Sequence, residues 1–270
     1  TRQHIVSILL DVMEQNDFDP EERIYLDIFI ARSLPKYPAQ LVLSGSLLNK
    51  VLQRLCEVPS EELREDCQLS AEYLLSAYQP PDAEALITSL RQSSFFRVLK
   101  TVYRRQRLYR ELLEAYFEDE ENSVFDCISS CLLPGAGLAQ KQMEAFKRCI
   151  VSHASELADI STVQTARILL SSAVDLLEPV AKALQDSYQQ FIFLRTLLEP
   201  KLIREETSLR SQQEIPEDVR HTFQERYVQL MCAHEPGHVA DYVSLLQSGD
   251  LRLDRVLPAM ESSGVIDAAV

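Results

Sequence analysis

Helix-start devices recur from one end of this chain to the other, and little in it specifies any other local structure. Asp19-Pro20-Glu21-Glu22 is a strong example. It has a carboxylate able to accept from free N–H groups, a proline where no N–H is needed, and a glutamate at the capping-box spacing. Ile24, Ile28 and Ala31 then fall on one helical face. Pro59-Ser60-Glu61-Glu62, Pro81-Asp82, Ser161 with Gln164, and Ile215-Pro216-Glu217-Asp218 repeat the device. Turn chemistry is scarce by comparison. Six glycines in 270 residues and no tryptophan leave few tight turns and argue against a β-rich fold.

Apolar residues at spacings of three and four predict helices over 2–16, 20–34, 45–57, 60–78, 82–91, 94–106, 108–118, 121–132, 138–153, 161–176, 179–198, 217–234, 237–247 and 254–263. These are about fourteen short helices joined by short connections, so sequential helices must pack antiparallel. Almost every one keeps a charged face, and units that each bury one stripe against the next build an α-solenoid. The expected fold is therefore all-α, an α-solenoid of stacked antiparallel helix pairs, with residues 1–270 as a single segment. The polar stretch 199–216 is a candidate subdivision. The chain does not begin with Met, and GVIDAAV at 264–270 stops as a helix starts, which reads as an internal fragment of a larger protein.

The net charge of −14 opposes binding of a phosphate backbone, so no nucleic acid is expected as a partner. The longest uncharged run, Cys127 to Gln140, has 14 residues and contains Pro134, Gly135 and Gly137, too short and too broken for a membrane span. Cysteines at 56, 67, 127, 131, 149 and 232 are too sparse for a disulfide framework, which favours a reducing, cytoplasmic location.

His234-Glu235-Pro236-Gly237-His238 spells H-E-x-x-H, the zinc-peptidase pattern. That chemistry needs both histidines on one continuous helix, with the glutamate activating a metal-bound water. Pro236 lacks an N–H and disfavours helical geometry at Glu235, while Gly237 adds backbone freedom. The motif is expected to be a helix-turn-helix corner. Cys232, His234 and His238 offer sulfur and nitrogen donors, but no fourth ligand stands at a recognised spacing.

Cys127 and Cys131 share a helix face and read as buried. Phosphate-cradling and nucleophile-elbow glycine motifs do not occur. Arg97, Lys100, Arg104, Arg105, Arg107 and Arg110 form a basic run that could meet anionic lipid or an acidic partner. The bland alternative is a solvated face neutralised by Glu118-Asp119-Glu120-Glu121. No catalytic, metal-ligating or cofactor-binding residue is assigned, no cofactor is expected, and partner-binding residues are not identified.

Residues 95–119, FFRVLKTVYRRQRLYRELLEAYFED, resemble the paired helices of clathrin-heavy-chain-type repeats in vacuolar protein sorting subunits. Residues 225–270 resemble the solenoid of a subunit of the CORVET endosomal tethering complex. They carry a YVQLMC…EP…V…Y unit, an LRLDRVLP helix start and GVIDAAV. The resemblance implies a non-catalytic scaffold segment of a multisubunit vesicle tether in endosomal and vacuolar membrane traffic and fusion. Its implied partners are the other subunits of a class C vacuolar protein sorting tether and, through the intact protein, an early-endosomal Rab GTPase. Peripheral association with endosomal membranes is implied as well. The alternatives are an α-solenoid scaffold of another coat or pore complex, and a zinc hydrolase using HEPGH.

Overall fold

The computed structural model describes residues 4, 8, 19–37, 43–58, 60–119, 123–199, 215, 217–246 and 251–265. Within these, fourteen α-helices and three 3-10 turns occur and no strand does. The chain divides into two units, Thr1–Asp119 and Glu120–Val270. The expected helix 2–16 lies outside the described residues but for His4 and Ile8, and the stretch 199–216 does so but for Glu199 and Ile215.

The first unit holds α1 (Pro20–Ser33), α2 (Gly45–Glu57), α3 (Arg64–Ala77), α4 (Ala83–Gln92), α5 (Phe96–Gln106) and α6 (Tyr109–Glu118). Caps set several starts. Ser44 Oγ accepts from Leu47 N at 3.3 Å and Asp82 Oδ1 from Ala85 N at 2.9 Å. At α1 the proline sits where the sequence predicts, but the Asp19 side chain makes no cap hydrogen bond. Its backbone carbonyl instead accepts from Glu22 and Arg23, each at 3.0 Å. Leu48, Val51, Leu52 and Leu55 form the buried stripe of α2, and Val98, Leu99, Val102 and Tyr103 that of α5.

The second unit holds α7 (Val124–Leu132), α8 (Gln140–Ser152), α9 (Ala154–Ser172), α10 (Leu177–Ala183), α11 (Ser187–Leu198), α12 (Glu217–His234), α13 (Val239–Ser244) and α14 (Leu253–Ser263). Two predicted boundaries need correction. Helix begins at Ala154 rather than 161, because Ser161 caps a second helical run inside α9. Its φ of −166° and ψ of 103° break the helix, and its Oγ accepts from Gln164 N at 3.2 Å. The predicted helix 179–198 is broken at 184–186, where the Asp186 carboxylate accepts from Tyr188 N at 2.7 Å and starts α11.

In each unit the helices pack on their neighbours and next neighbours in the chain. Neighbours run antiparallel where side chains report it: Ser187 meets His234 and Gln190 meets Arg226 across α11 and α12. Next neighbours run parallel, with Arg97 on Glu65 and Arg105 on the Leu75 carbonyl across α3 and α5. The fold is all-α and solenoid-like, each helix burying one stripe against the next turn of the stack.

Candidate functional site

The HEPGH sequence is a corner. α12 ends at His234, Glu235 is non-helical at φ −140° and ψ 64°, and Pro236–His238 form a single 3-10 turn before α13. Pro236 removes an N–H and pushes Glu235 out of the helical region, so the two histidines leave the chain on separate elements. His234 Nε2 lies 3.1 Å from Ser187 Oγ, and its ring stands edge-on to Tyr188 at 5.5 Å. His238 Nε2 lies 3.0 Å from Glu199 Oε1. Glu235 accepts from Arg195 Nη1 at 2.6 Å. The three polar residues of the motif thus bond to three different residues of α11 and its end.

Glu199 is the centre of this arrangement, with its side chain only 9% exposed. Besides His238 it accepts the phenolic hydrogen of Tyr227, which is fully buried. Burial, then the hydrogen bond to Glu199, pushes the Tyr227 hydroxyl well above its ordinary pKa, so the phenol stays protonated and donates. The Tyr227 ring stacks on Phe191 at 5.5 Å and meets Tyr242 edge-on at 5.1 Å. Sequence reading passed over Arg195, Glu199 and Tyr227.

Cys232 is buried, with Ser263 of α14 as its side-chain hydrogen-bond partner; burial raises its thiol above the ordinary value. Cys127 and Cys131 are both buried on α7. Among the described residues no group of three or more His, Cys, Asp or Glu side chains is placed to hold a metal ion.

The basic run dissolves into internal pairings. Arg97 bonds to Glu65 at 2.7 Å and Glu72 at 3.2 Å, Arg104 to the Tyr116 hydroxyl at 3.3 Å, and Arg105 to the Leu75 carbonyl at 2.9 Å. Lys100 is buried, pairs with Asp119 and sits over the Tyr116 ring at 4.1 Å. Arg110 pairs with Glu114 at 3.0 Å, and Arg107 takes the left-handed turn that ends α5, at φ 58°. Of the acidic stretch expected to neutralise the run, Asp119 pairs with Lys100, and Glu118 pairs with Arg91 at 3.4 Å. Residues 120 and 121 lie outside the described residues.

An all-helical stack whose peptidase-like motif lies across a corner has the architecture of a helical-repeat, solenoid-type protein. No protein-family model matches the chain. Among curated proteins it is similar to the vacuolar protein sorting-associated protein 8 homologs of Homo sapiens and Mus musculus. Each is 28% identical over 252 residues, which is 91% of this chain and 17% of theirs. Vacuolar protein sorting-associated protein 8 of Saccharomyces cerevisiae is 29% identical over 121 residues, 45% of this chain and 10% of the yeast protein. The resemblance to vacuolar protein sorting subunits read from the sequence is borne out by these relatives. The chain spans 17% of the length of the human and mouse proteins. Their name places them in vacuolar protein sorting, and no helix among the described residues is long and apolar enough to cross a membrane.

Proposed function

We propose that this chain is a non-catalytic scaffold segment of a vesicle-tethering complex of the CORVET type, acting in the cytoplasm on endosomal membranes in vacuolar protein sorting. The observation that carries the reading is the similarity to vacuolar protein sorting-associated protein 8 across 91% of the chain. The stacked helices support it, because a repeat stack presents a long surface on which several partners can assemble. The corner geometry of HEPGH favours this scaffold over the hydrolase. Its partners on this reading are the class C subunits of the tether and, through the intact protein, an early-endosomal Rab GTPase.

The test is affinity purification of the intact protein with and without residues 1–270. Co-purification of class C subunits, lost or reduced on deletion, supports the reading. An intact protein that purifies instead with subunits of another coat or pore complex overturns it.

A further inference from the structure

We propose that the corner between α5 and α6 of the first unit, with the groove beside it, is a docking site for an acidic segment of another protein that carries an apolar anchor. Arg104, Arg105, Arg107 and Arg110 come together at this corner and are all exposed. The Arg107 amide donates to the Arg104 carbonyl at 3.3 Å and the Leu108 amide to the Tyr103 carbonyl at 2.9 Å. Backbone thus closes the end of α5, and the side chains of Arg104 and Arg105 are not needed to cap it. Arg97 and Lys100 earlier in the run pair with carboxylates, but Arg104 donates to the Tyr116 hydroxyl at 3.3 Å and Arg105 to the Leu75 carbonyl at 2.9 Å. Both of these acceptors are neutral. A guanidinium has five donors and a fixed charge, so one neutral acceptor leaves most of the fork and all of the charge open.

The carboxylates that follow on α6 do not cancel this charge. They are Glu111 and Glu114, the second bonded to Arg110, while Glu118 is taken by Arg91 and Asp119 by Lys100. Four arginines against two glutamates leave a positive corner in a chain of net charge −14. Arg104 to Arg107 span about 5 Å of helix axis, less than the screening length of about 8 Å at physiological salt, so their fields add. The groove supplies the anchor site. It is open, has a volume of about 490 Å³ and is lined from α3, α4 and α5, with Leu86 and Val102 buried and Tyr78 and Pro80 half-buried. Arg105 is its one ionic group, and no Asp or Glu belongs to its lining among the described residues. An occupant that sets a carboxylate on the arginines and an apolar side chain in the groove uses both features at once. A basic segment would meet like charge at its only ionic contact. An anionic membrane would leave the concave groove unfilled, and the net negative charge of the chain opposes its approach. The site uses residues 75–110 and stands independently of the tethering assignment.

The test is selection of phage-displayed random dodecapeptides on the whole chain, after removal of clones that also bind an Arg104→Glu/Arg105→Glu double variant. Both side chains are exposed, and circular dichroism checks that the variant keeps its helices. If it does not fold, Arg104→Gln/Arg105→Gln replaces it, since glutamine keeps a donor for the Leu75 carbonyl. The enriched peptides are expected to carry several acids beside an aliphatic or aromatic residue. Synthetic copies, followed by fluorescence polarisation, should lose about tenfold or more in affinity on the double variant and should bind more weakly as salt rises. Lys141→Glu/Arg148→Glu makes the same change in net charge at exposed positions of the second unit and should leave that affinity unaltered. No enrichment, a consensus without acids, or an equal loss in the two double variants overturns the proposal. Flotation with phosphatidylcholine vesicles containing about one-third phosphatidylserine covers the other anionic surface. Vesicle binding that Arg104→Glu/Arg105→Glu abolishes would assign the corner to lipid, and the peptide proposal would fall.

Discussion

His238 sets its Nε2 3.0 Å from Glu199 Oε1, and Tyr227 donates its phenolic hydrogen to the other oxygen of the same carboxylate. One nearly buried acid at the end of α11 therefore holds both α12 and the 3-10 turn of the HEPGH corner. Removing it leaves a fully buried hydroxyl without its acceptor, at a cost of about 1–3 kcal/mol. Glu199→Ala should lower stability by that amount in chemical denaturation. Tyr227→Phe should cost less, because it removes the group that needs an acceptor. In the double variant the two losses should add to less than their sum. Strict additivity would show that the carboxylate and the phenol are not coupled.

Glu199 was not legible in the sequence for a physical reason. It stands at the head of a polar, charged stretch, and its two donors lie 28 and 39 residues further along the chain. No local spacing announces such a partner. The helices themselves were legible because caps and apolar stripes are local signals, and the proline in HEPGH announced the corner. The misplaced boundaries have the same origin. α8 and α9 abut at His153 with no loop between them, so residues 154–160 carry no start signal of the kind seen at Ser161. Across 184–186 the apolar spacing continues, with Val180, Leu184 and Phe191 all buried, and it masks the break that the Asp186 cap makes. The basic run was visible as composition, while its dispersal onto Glu65, Glu72, Tyr116 and Leu75 depends on packing across helices.

A zinc peptidase needs two histidines facing one metal from a single helix. Here they sit on separate elements and bond to Ser187 and Glu199. The purified chain is expected to hold no stoichiometric zinc, and neither His234→Ala nor His238→Ala should change its metal content. Elemental analysis decides. One equivalent of zinc, lost in both variants, would restore the hydrolase.

Arg97 lies between Glu65 and Glu72 and links α5 to α3. All three side chains are partly exposed, so each pair contributes only about 0–1 kcal/mol. Arg97→Glu exchanges two attractions for two repulsions. It should destabilise the first unit by about 1 kcal/mol at low salt, with a smaller loss at high salt, where screening acts on both states. Thermal melts at two ionic strengths read the difference. A loss independent of salt would place the role of Arg97 in packing of its stem instead.

Asp27 and Arg54 form a two-pronged pair between α1 and α2, with Nε to Oδ2 at 2.7 Å and Nη2 to Oδ1 at 2.6 Å, and the Asp27 side chain is fully buried. Burial pushes the Asp27 carboxyl above its ordinary value, against the Arg54 hydrogen bond and charge, which lower it. Arg54→Ala removes both opposing effects and strands a buried charge, a change that costs about 3–5 kcal/mol. The sign of the pH dependence follows from the direction of the shift. A carboxyl whose folded pKa lies above its unfolded value binds its proton more tightly in the folded state. Loss of Arg54 raises the folded value further, so the penalty of Arg54→Ala is largest when the carboxyl is ionised and shrinks as pH falls from the variant's folded value toward the lower one of the parent chain. Asp27→Asn in the Arg54→Ala background removes the charge altogether and should recover much of the loss at neutral pH while flattening its pH dependence. Denaturation of the three variants from neutral pH toward acid checks this. If Arg54→Ala is as costly in acid as at neutral pH, or Asn at position 27 recovers nothing, the stranded carboxylate is not what destabilises the variant, and the loss belongs to the packing of the Arg54 stem between α1 and α2.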